Sequence, residues 1–415
     1  SINGFDMMNI VSISLYYKPI WPGFGTRFSE LLVDESVNSN HNVTLYTGRI
    51  PKSVQVEKKF RLKKLVEKLP TGSLIINRLW TPDLKHEGIG KRTIAYLSFT
   101  VQCFFKVLFA KNVDLIMGLY PYPPFFISII LLAKLKKINF ILVEADLWPD
   151  NLKELGVVKN SILYSIISKL SIWAYNMSDM VIVITDELQQ GLKKYFKDYS
   201  KLKVLNLATN TEIFKPLTNI KKKYGDIFVV MYSGILAPNY DFDIILNTAK
   251  KLSNENILFV ISGAGELKTN IEGKIQKLNL KNVIMEEPVK KLDDLIIKLN
   301  SADILVMGMN DNLQAKTAHP SKIFEFMACG KPIVCSTTGA TKNLIQNSNS
   351  GIVVDPGNLE QFAESILRLY NSKDQRQILG NNGLEFIKKN HSLDSFREKL
   401  SLLINSCVNT NLSKV

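Results

Sequence analysis

The stretch HPSKIFEFMACGKPIV, residues 319–334, is a helix start, a short amphipathic helix, a glycine stop and a strand. Pro320 and Ser321 suit the first helical positions, where a missing amide is harmless and a hydroxyl can cap a free N–H. Ile323, Phe324, Met327 and Ala328 recur at helical spacing, and Gly330 followed by Pro332 ends the helix. Lys322 and Glu325 lie three apart near the helix N-terminus, whose free N–H groups and positive dipole favour a phosphate. Lys322 adds a full charge there, and Glu325, one turn on, is placed to accept two hydroxyls of a sugar ring. The arrangement fits a nucleoside diphosphate with its ribose. The same residues also read as a plain helix–strand unit with a solvated Lys and Glu.

Outward from this stretch, strand-like apolar runs alternate with helical patterns, the mark of parallel sheets connected by helices. In the first half the runs are Met8–Leu15, Asn42–Tyr46, Ser73–Ile76, Leu115–Gly118, Phe140–Glu144, Met180–Ile184 and Lys203–Leu205. In the second they are Phe228–Tyr232, Ile257–Ser262, Val283–Met285, Ile304–Met307, Pro332–Cys335 and Gly351–Val354. Two such series predict an α/β chain of two Rossmann-like domains, residues 1–208 and 209–392. The polar TNTEIFKP near Ala208–Pro216 joins them. In open α/β sheets ligands sit beyond the carboxyl ends of the strands, so the loops there are the candidate sites.

The 415 residues suffice for two such cores, and 46% hydrophobic with 22% charged residues is a folded composition. Cys103, Cys329, Cys335 and Cys407 lack CxxC spacing, which gives no metal or disulfide signal and points to a reducing cytoplasm. Ser1–Asp6, ahead of Met7 and Met8, lacks the basic region and apolar core of a signal peptide. The run Phe125–Ala133 is too short to span a bilayer, and Ile94–Ala110 is interrupted by Gln102 and Lys106.

The net charge of +14 is unevenly placed: residues 51–140 hold 16 Lys/Arg against 5 Asp/Glu. KKFRLKKLVEKL (58–69) and AKLKKINF (133–140) mix these charges with apolar residues. That reads as attraction to an anionic membrane surface, or as a merely solubilising basic face. No nucleic-acid-binding motif accompanies it, so nucleic acid is not expected as a partner.

PSKIFEFMACGKPIV (320–334), TTGATKNLI (337–345) and SGIVVDPGNLEQFAESILRLYNS (350–372) resemble the carboxy-terminal signature of the family-four retaining glycosyltransferases, which have the GT-B fold. IVSISLYYKPIWPGFGTRFSELL (10–32) and VEADLWPDNLKELGV (143–157) extend the likeness through most of the chain. The DLWP segment is similar to fucosamine and fucose transferases of bacterial O-antigen and capsule assembly. The resemblance implies two facing domains with an interdomain cleft, and a terminal helix within 393–415 crossing back to the first domain. It further implies a nucleotide-sugar donor, UDP favoured over GDP, with no other cofactor and no metal.

Carried onto this chain, the donor side comprises Gly23 and Gly25 in the first loop, Gly234, Gly263 and Gly265 after strands, and Pro288 and Val289 where the base is read. Thr317, His319, Ser321, Lys322 and Glu325 complete it. Arg27 is a further phosphate contact or an exposed residue of the first helix. Two departures stand out. The family's Arg and Lys after the glycine are replaced by Ala237, Pro238 and Asn239, and its first paired Glu by Thr317. Both throw weight onto Lys322.

Glu144, Asp146 and Trp148 form the expected acceptor side. The two carboxylates are two apart and so should point the same way; Asp146 could accept a proton and Trp148 stack on a sugar. The bland alternative has Asp146 capping a helix and Trp148 filling core. Asp241 and Asp243, in DFD, imitate a metal motif but sit at a helix start, where acids suit the dipole. His41, His86 and His391 read as surface or packing residues. The expectation is a retaining, metal-independent hexosyl or N-acetylhexosaminyl transferase acting on a lipid-linked saccharide at the inner face of the cell membrane. Its catalytic residues would be Lys322, Glu325 and Asp146. The alternatives are a GT-B nucleotide-sugar 2-epimerase and a non-catalytic membrane-bound binding subunit.

Overall fold

Runs buried on both faces become the strands of two sheets, because a sheet covered by helices on each side leaves no polar face to alternate with. In a computed structural model, residues 7–19, 24–50, 57–68, 71–82, 89–154, 156, 158, 160–218, 223–289 and 291–412 are described. The first sheet has β1 (Asn9–Ser14), β2 (Asn42–Gly48), β3 (Lys64–Lys68), β4 (Ser73–Leu79), β5 (Leu115–Tyr120), β6 (Asn139–Glu144), β7 (Met180–Val183) and β8 (Leu202–Val204). Its order is β3-β4-β2-β1-β5-β6-β7-β8, all parallel except β3, which runs antiparallel to β4. The second sheet has β9 (Phe228–Ser233), β10 (Ile257–Ser262), β11 (Val283–Glu286), β12 (Ile304–Gly308), β13 (Ile333–Ser336) and β14 (Gly351–Val354). It is wholly parallel, in the order β11-β10-β9-β12-β13-β14.

The chain divides into two units, Ser1–Leu207 with Phe396–Val415, and Ala208–Ser395. The last helix, Leu393–Leu412, therefore belongs mostly to the first unit. There Phe396 meets Phe28 edge-on at 5.9 Å, and Arg397 pairs at 2.7 Å with the buried Glu35 of the helix Phe24–Asn38.

Every strand expected in the second half is present. One in the first half was not foreseen: β3 lies inside the basic segment 58–69, read above only as a charged surface. Lys64, Val66 and Lys68 face solvent along this sheet edge. Lysines on an edge strand deter pairing with another chain, so part of that basic run serves the sheet itself. Among the described residues no helix is long and apolar enough to cross a membrane.

Candidate active site

In the second unit, the loops leaving β9, β10 and β11 are tied to one another by backbone bonds. Gly234 N–H donates to Ser262 O at 2.9 Å, Leu236 N–H to Ala264 O at 2.9 Å, and Gly263 N–H to Glu286 O at 3.1 Å. The approach is too close for side chains: a Cβ on Gly263 would collide with the Gly234 carbonyl, and one on Gly265 with the Leu236 carbonyl. A Cβ on Gly234 would instead strike the Lys322 ammonium. The bare Gly234 backbone is thus what admits Lys322 to the carboxyl end of β9.

Lys322 opens the helix Lys322–Ala328 and reaches across to that strand end. Its Nζ donates to the Tyr232 hydroxyl at 2.6 Å, and that hydroxyl donates to Ile235 O at 2.6 Å. The ammonium stands 4.1 Å from the Tyr232 ring centre and 3.9 Å from that of Tyr240, a cation–π box. Burial pulls the Lys322 pKa down from 10.5 to about 7, against the opposing charge of Glu325 one turn along. Sequence reading missed both tyrosines. The available signal was position: Tyr232 precedes Gly234 by two residues, and Tyr240 follows the Pro238-Asn239 that replaces the expected cations.

Other candidates on this side fare differently. Ser321 precedes the helix but its hydroxyl makes no cap bond; the N–H groups of Ile323 and Phe324 donate to Pro320 O and Ser321 O instead. The capping role expected for Ser321 is corrected on this ground. Thr317 is buried, with its hydroxyl donating to Leu313 O at 2.9 Å. His319 is also buried, edge-on to Phe324 at 5.6 Å, and its Nδ1 lacks a hydrogen-bond partner among the described residues. Burial, with His391 nearby, pushes its pKa down to about 3, so the imidazole is neutral. The side chains of Thr317 and His319 are placed as internal supports rather than as open ligands. Glu325 is half-buried.

Pro288 and Val289, both half-buried, follow β11. The end of that strand is held by Glu286, which pairs with Lys298 at 2.8 Å and accepts from Lys223 and Tyr224. Burial raises the Glu286 pKa, but these donors outweigh it and hold the carboxyl at about 2. Asp241 is the N-cap of the helix Phe242–Lys251, accepting from Ile244 N–H at 3.1 Å, and Asp243 pairs with Lys274. No cluster fit to hold a metal occurs among the described residues.

In the first unit, Glu144 ends β6, so Asp146 lies beyond the strand and the same-side argument does not apply to the pair. Glu144 Oε1 accepts from the N–H groups of Ala145 and Asp146, at 3.1 and 3.2 Å. Tyr175 has one hydroxyl proton but two oxygens in reach, Glu144 Oε2 at 3.0 Å and Trp148 O at 3.1 Å. A protonated Glu144 satisfies all three groups by donating to Tyr175, which then donates to Trp148 O. Burial and the neighbouring Asp146 raise the Glu144 pKa to about 8, against the hydrogen bonds it accepts. Glu144 is therefore a neutral brace of the loop after β6, not an open carboxylate.

Asp146 is the half-exposed member, its pKa raised to about 6 by burial. Trp148 leans on Tyr122 at 4.0 Å, and Tyr122 meets Tyr96 edge-on at 5.9 Å. Asp146 thus sits beside an aromatic wall whose tyrosines the sequence reading did not single out. Gly25 lies in the helix Phe24–Asn38, and Gly23 lies outside the described residues.

Comparison with known proteins bears on the second unit most directly. Residues 214–386 match the family Glycosyl transferases group 1. An uncharacterized glycosyltransferase of Methanocaldococcus jannaschii is 24% identical over 298 residues, 72% of this chain and 77% of that protein. Sucrose-phosphate synthase from Thermosynechococcus elongatus superposes with a TM-score of 0.77 at 17% identity, over 97% of this chain and 100% of that one. Anabaena HepE in complex with UDP-glucose gives 0.69 at 13%, over 96% of this chain and 100% of its own. Residues 214–386 accordingly resemble a group 1 glycosyltransferase domain, in a chain whose two α/β units have the GT-B fold.

Proposed function

We propose that this protein transfers a sugar, with retention of configuration, from a nucleoside diphosphate donor to a hydroxyl of a lipid-linked saccharide. The carrying observation is the Lys322 ammonium, held under Gly234 at the carboxyl end of β9. A fixed cation at a strand-end crevice suits a diphosphate leaving group, and the solved relative bound to UDP-glucose supports a UDP-sugar as donor.

In the reaction the bond from the anomeric carbon to the phosphate oxygen breaks, and its electron pair stays on the diphosphate. Lys322 stabilises that charge, with no metal required for the step. The acceptor oxygen bonds to the anomeric carbon from the same face, and its proton passes to the departing phosphate. Glu325 holds the ribose, and the tied loops that include Gly263, Gly265, Pro288 and Val289 hold the nucleotide. Asp146 and Trp148 orient the acceptor.

The likeness of DLWP to fucosamine and fucose transferases supports a place in O-antigen or capsule assembly, with the protein peripheral on the cytoplasmic membrane face. A thermal-shift panel of UDP, GDP, TDP and their sugar conjugates tests the donor assignment, since a ligand that binds only the folded state raises its melting temperature. A shift selective for UDP compounds is expected; no shift with any of them overturns it. Replacement of the expected cation pair and paired Glu also motivates the binding-subunit reading, which nucleotide-sugar binding without turnover would favour.

A further inference from the structure

The helix Ile89–Phe109 leads into β5, Ile127–Leu135 into β6, and Ser161–Met177 into β7. All three crossovers move the same way along the sheet order, and right-handed connections put their helices on one face. The first packs on the second and the second on the third, and Lys136 joins two of them by donating to the carbonyls of Val107, Leu108 and Ala110.

The outward side of this layer is apolar. Along Ile89–Phe109, Ile94, Leu97, Val101, Phe105 and Leu108 are exposed at successive turns. Leu131 and Leu135 continue the surface on the second helix, Leu135 being 83% exposed. Ile162, Ile166 and Leu170 do so on the third. Trp80, itself 52% exposed, is fastened beside the first helix by Gln102, which donates to Trp80 O at 2.8 Å. A single exposed leucine is ordinary, whereas a continuous outer face across three helices is not.

The charges decide the occupant. None of the three helices contains an Asp or Glu, while Lys91, Arg92, Lys106, Lys134 and Lys169 lie on them and Lys136 and Lys137 directly follow. Lys134 pairs with Asp179, which precedes β7. A second copy of the chain would set this basic face against itself, which like charges oppose. An anionic bilayer meets both features, taking the apolar side chains into the headgroup boundary and the lysines against the phosphates.

We infer that this three-helix layer is the surface by which the protein lies on an anionic lipid bilayer. The inference rests on the membrane reading above and sharpens it: the attachment is the layer formed by 89–109, 127–135 and 161–177, not the lysine-rich edge around β3.

The test is flotation of the full chain with vesicles of phosphatidylglycerol and phosphatidylethanolamine, and with phosphatidylcholine alone, at low salt. Val101→Glu with Phe105→Glu is the principal variant, Ile166→Glu a second on another helix, and Ile378→Glu an exposed control in the second unit. The double variant should lower the bound fraction on anionic vesicles about tenfold or more, and Ile166→Glu several-fold, with melting temperatures unchanged. Ile378→Glu should bind as wild type does. Wild-type binding untouched by the variants on the layer would overturn the assignment while leaving membrane association standing. Absence of binding to anionic vesicles would overturn both. A dimer in sedimentation velocity that Val101→Glu with Phe105→Glu dissociates would make the face a contact between copies, overturning the lipid assignment. None of these readouts uses donor or acceptor, so they stand apart from the transfer reaction.

Discussion

The helix Leu359–Asn371 of the second unit buries Phe362, Ala363, Ile366 and Leu369 and turns Glu360, Glu364 and Arg368 to solvent. The helix Ile89–Phe109 of the first unit buries Ala95, Phe99, Cys103 and Val107 with the same period but turns Ile94, Leu97, Val101 and Phe105 outward. Both solve the same inner problem, covering a mostly parallel sheet, and differ only in what their outer faces meet. Inner periodicity thus reports the fold, and the outer face reports the surroundings. The division extends to chemistry. The second unit carries a half-buried cation at its strand ends, and the first carries an aromatic wall with one half-exposed carboxylate.

The sharpest break of this contrast is Lys322→Ala. Turnover should fall by about 10²–10³-fold, the usual effect of losing a transition-state charge partner, while vesicle binding by the first unit stays as it was. Near-normal turnover in a steady-state assay would remove the chemistry from this lysine. The pH profile carries the same point. The diphosphate needs the ammonium form, so kcat/KM should decline as pH rises through about 7, where Lys322 in the fold loses its proton. The unfolded chain keeps that proton up to about 10.5, so the fold's loss of it opposes stability at neutral pH, and this penalty fades between about 7 and 10.5.

Next in size is Gly263→Ala, whose methyl meets backbone rather than a side chain that can move. It should destabilise the second unit by about 1–3 kcal/mol and weaken the nucleotide-induced thermal shift. An unaltered melting temperature would mean that these loops are not tied as described. Arg397→Ala probes the first unit instead, leaving Glu35 buried without its cation. Because Arg397 is itself about a third exposed, a loss of about 2 kcal/mol is expected. Calorimetry should show it with the nucleotide shift intact. The smallest effect is that of Tyr232→Phe, which keeps the ring against Lys322 and removes one hydrogen bond. About 1 kcal/mol, or roughly fivefold in kcat/KM, is expected, with the pH midpoint displaced if the hydroxyl positions the ammonium.

How much of this was legible in the sequence follows from the range of the interactions. The inner strands of the second sheet are buried on both faces and announce themselves as apolar runs. Its edge strands β11 and β14 stay apolar in sequence though only partly buried, whereas the edge strand β3 hid among lysines. Lys322 stood out through its local setting, but its partner Tyr232 is 90 residues away and nothing nearby in the chain points to it. His319 looked like a ligand because it adjoins Lys322 in sequence, yet it turns toward Phe324 and away from water. Glu144 looked like an open carboxylate until the single proton of Tyr175 had to be shared between two oxygens. The apolar run Ile94–Ala110 was visible, but only burial separates its inner stripe from its outer one.

The return of the last helix to the first unit also governs the order in which the protein can be made. Residues 208–395 are synthesised before Phe396 and Arg397 exist, which at 5–20 residues per second leaves the first unit incomplete for roughly 10–40 s. Throughout that interval Phe28 and Glu35 await their partners, whereas the second unit, one continuous segment, has all its residues once Ser395 is added. Ribosome stalling or truncation ahead of Phe396 therefore damages the unit whose synthesis began earlier.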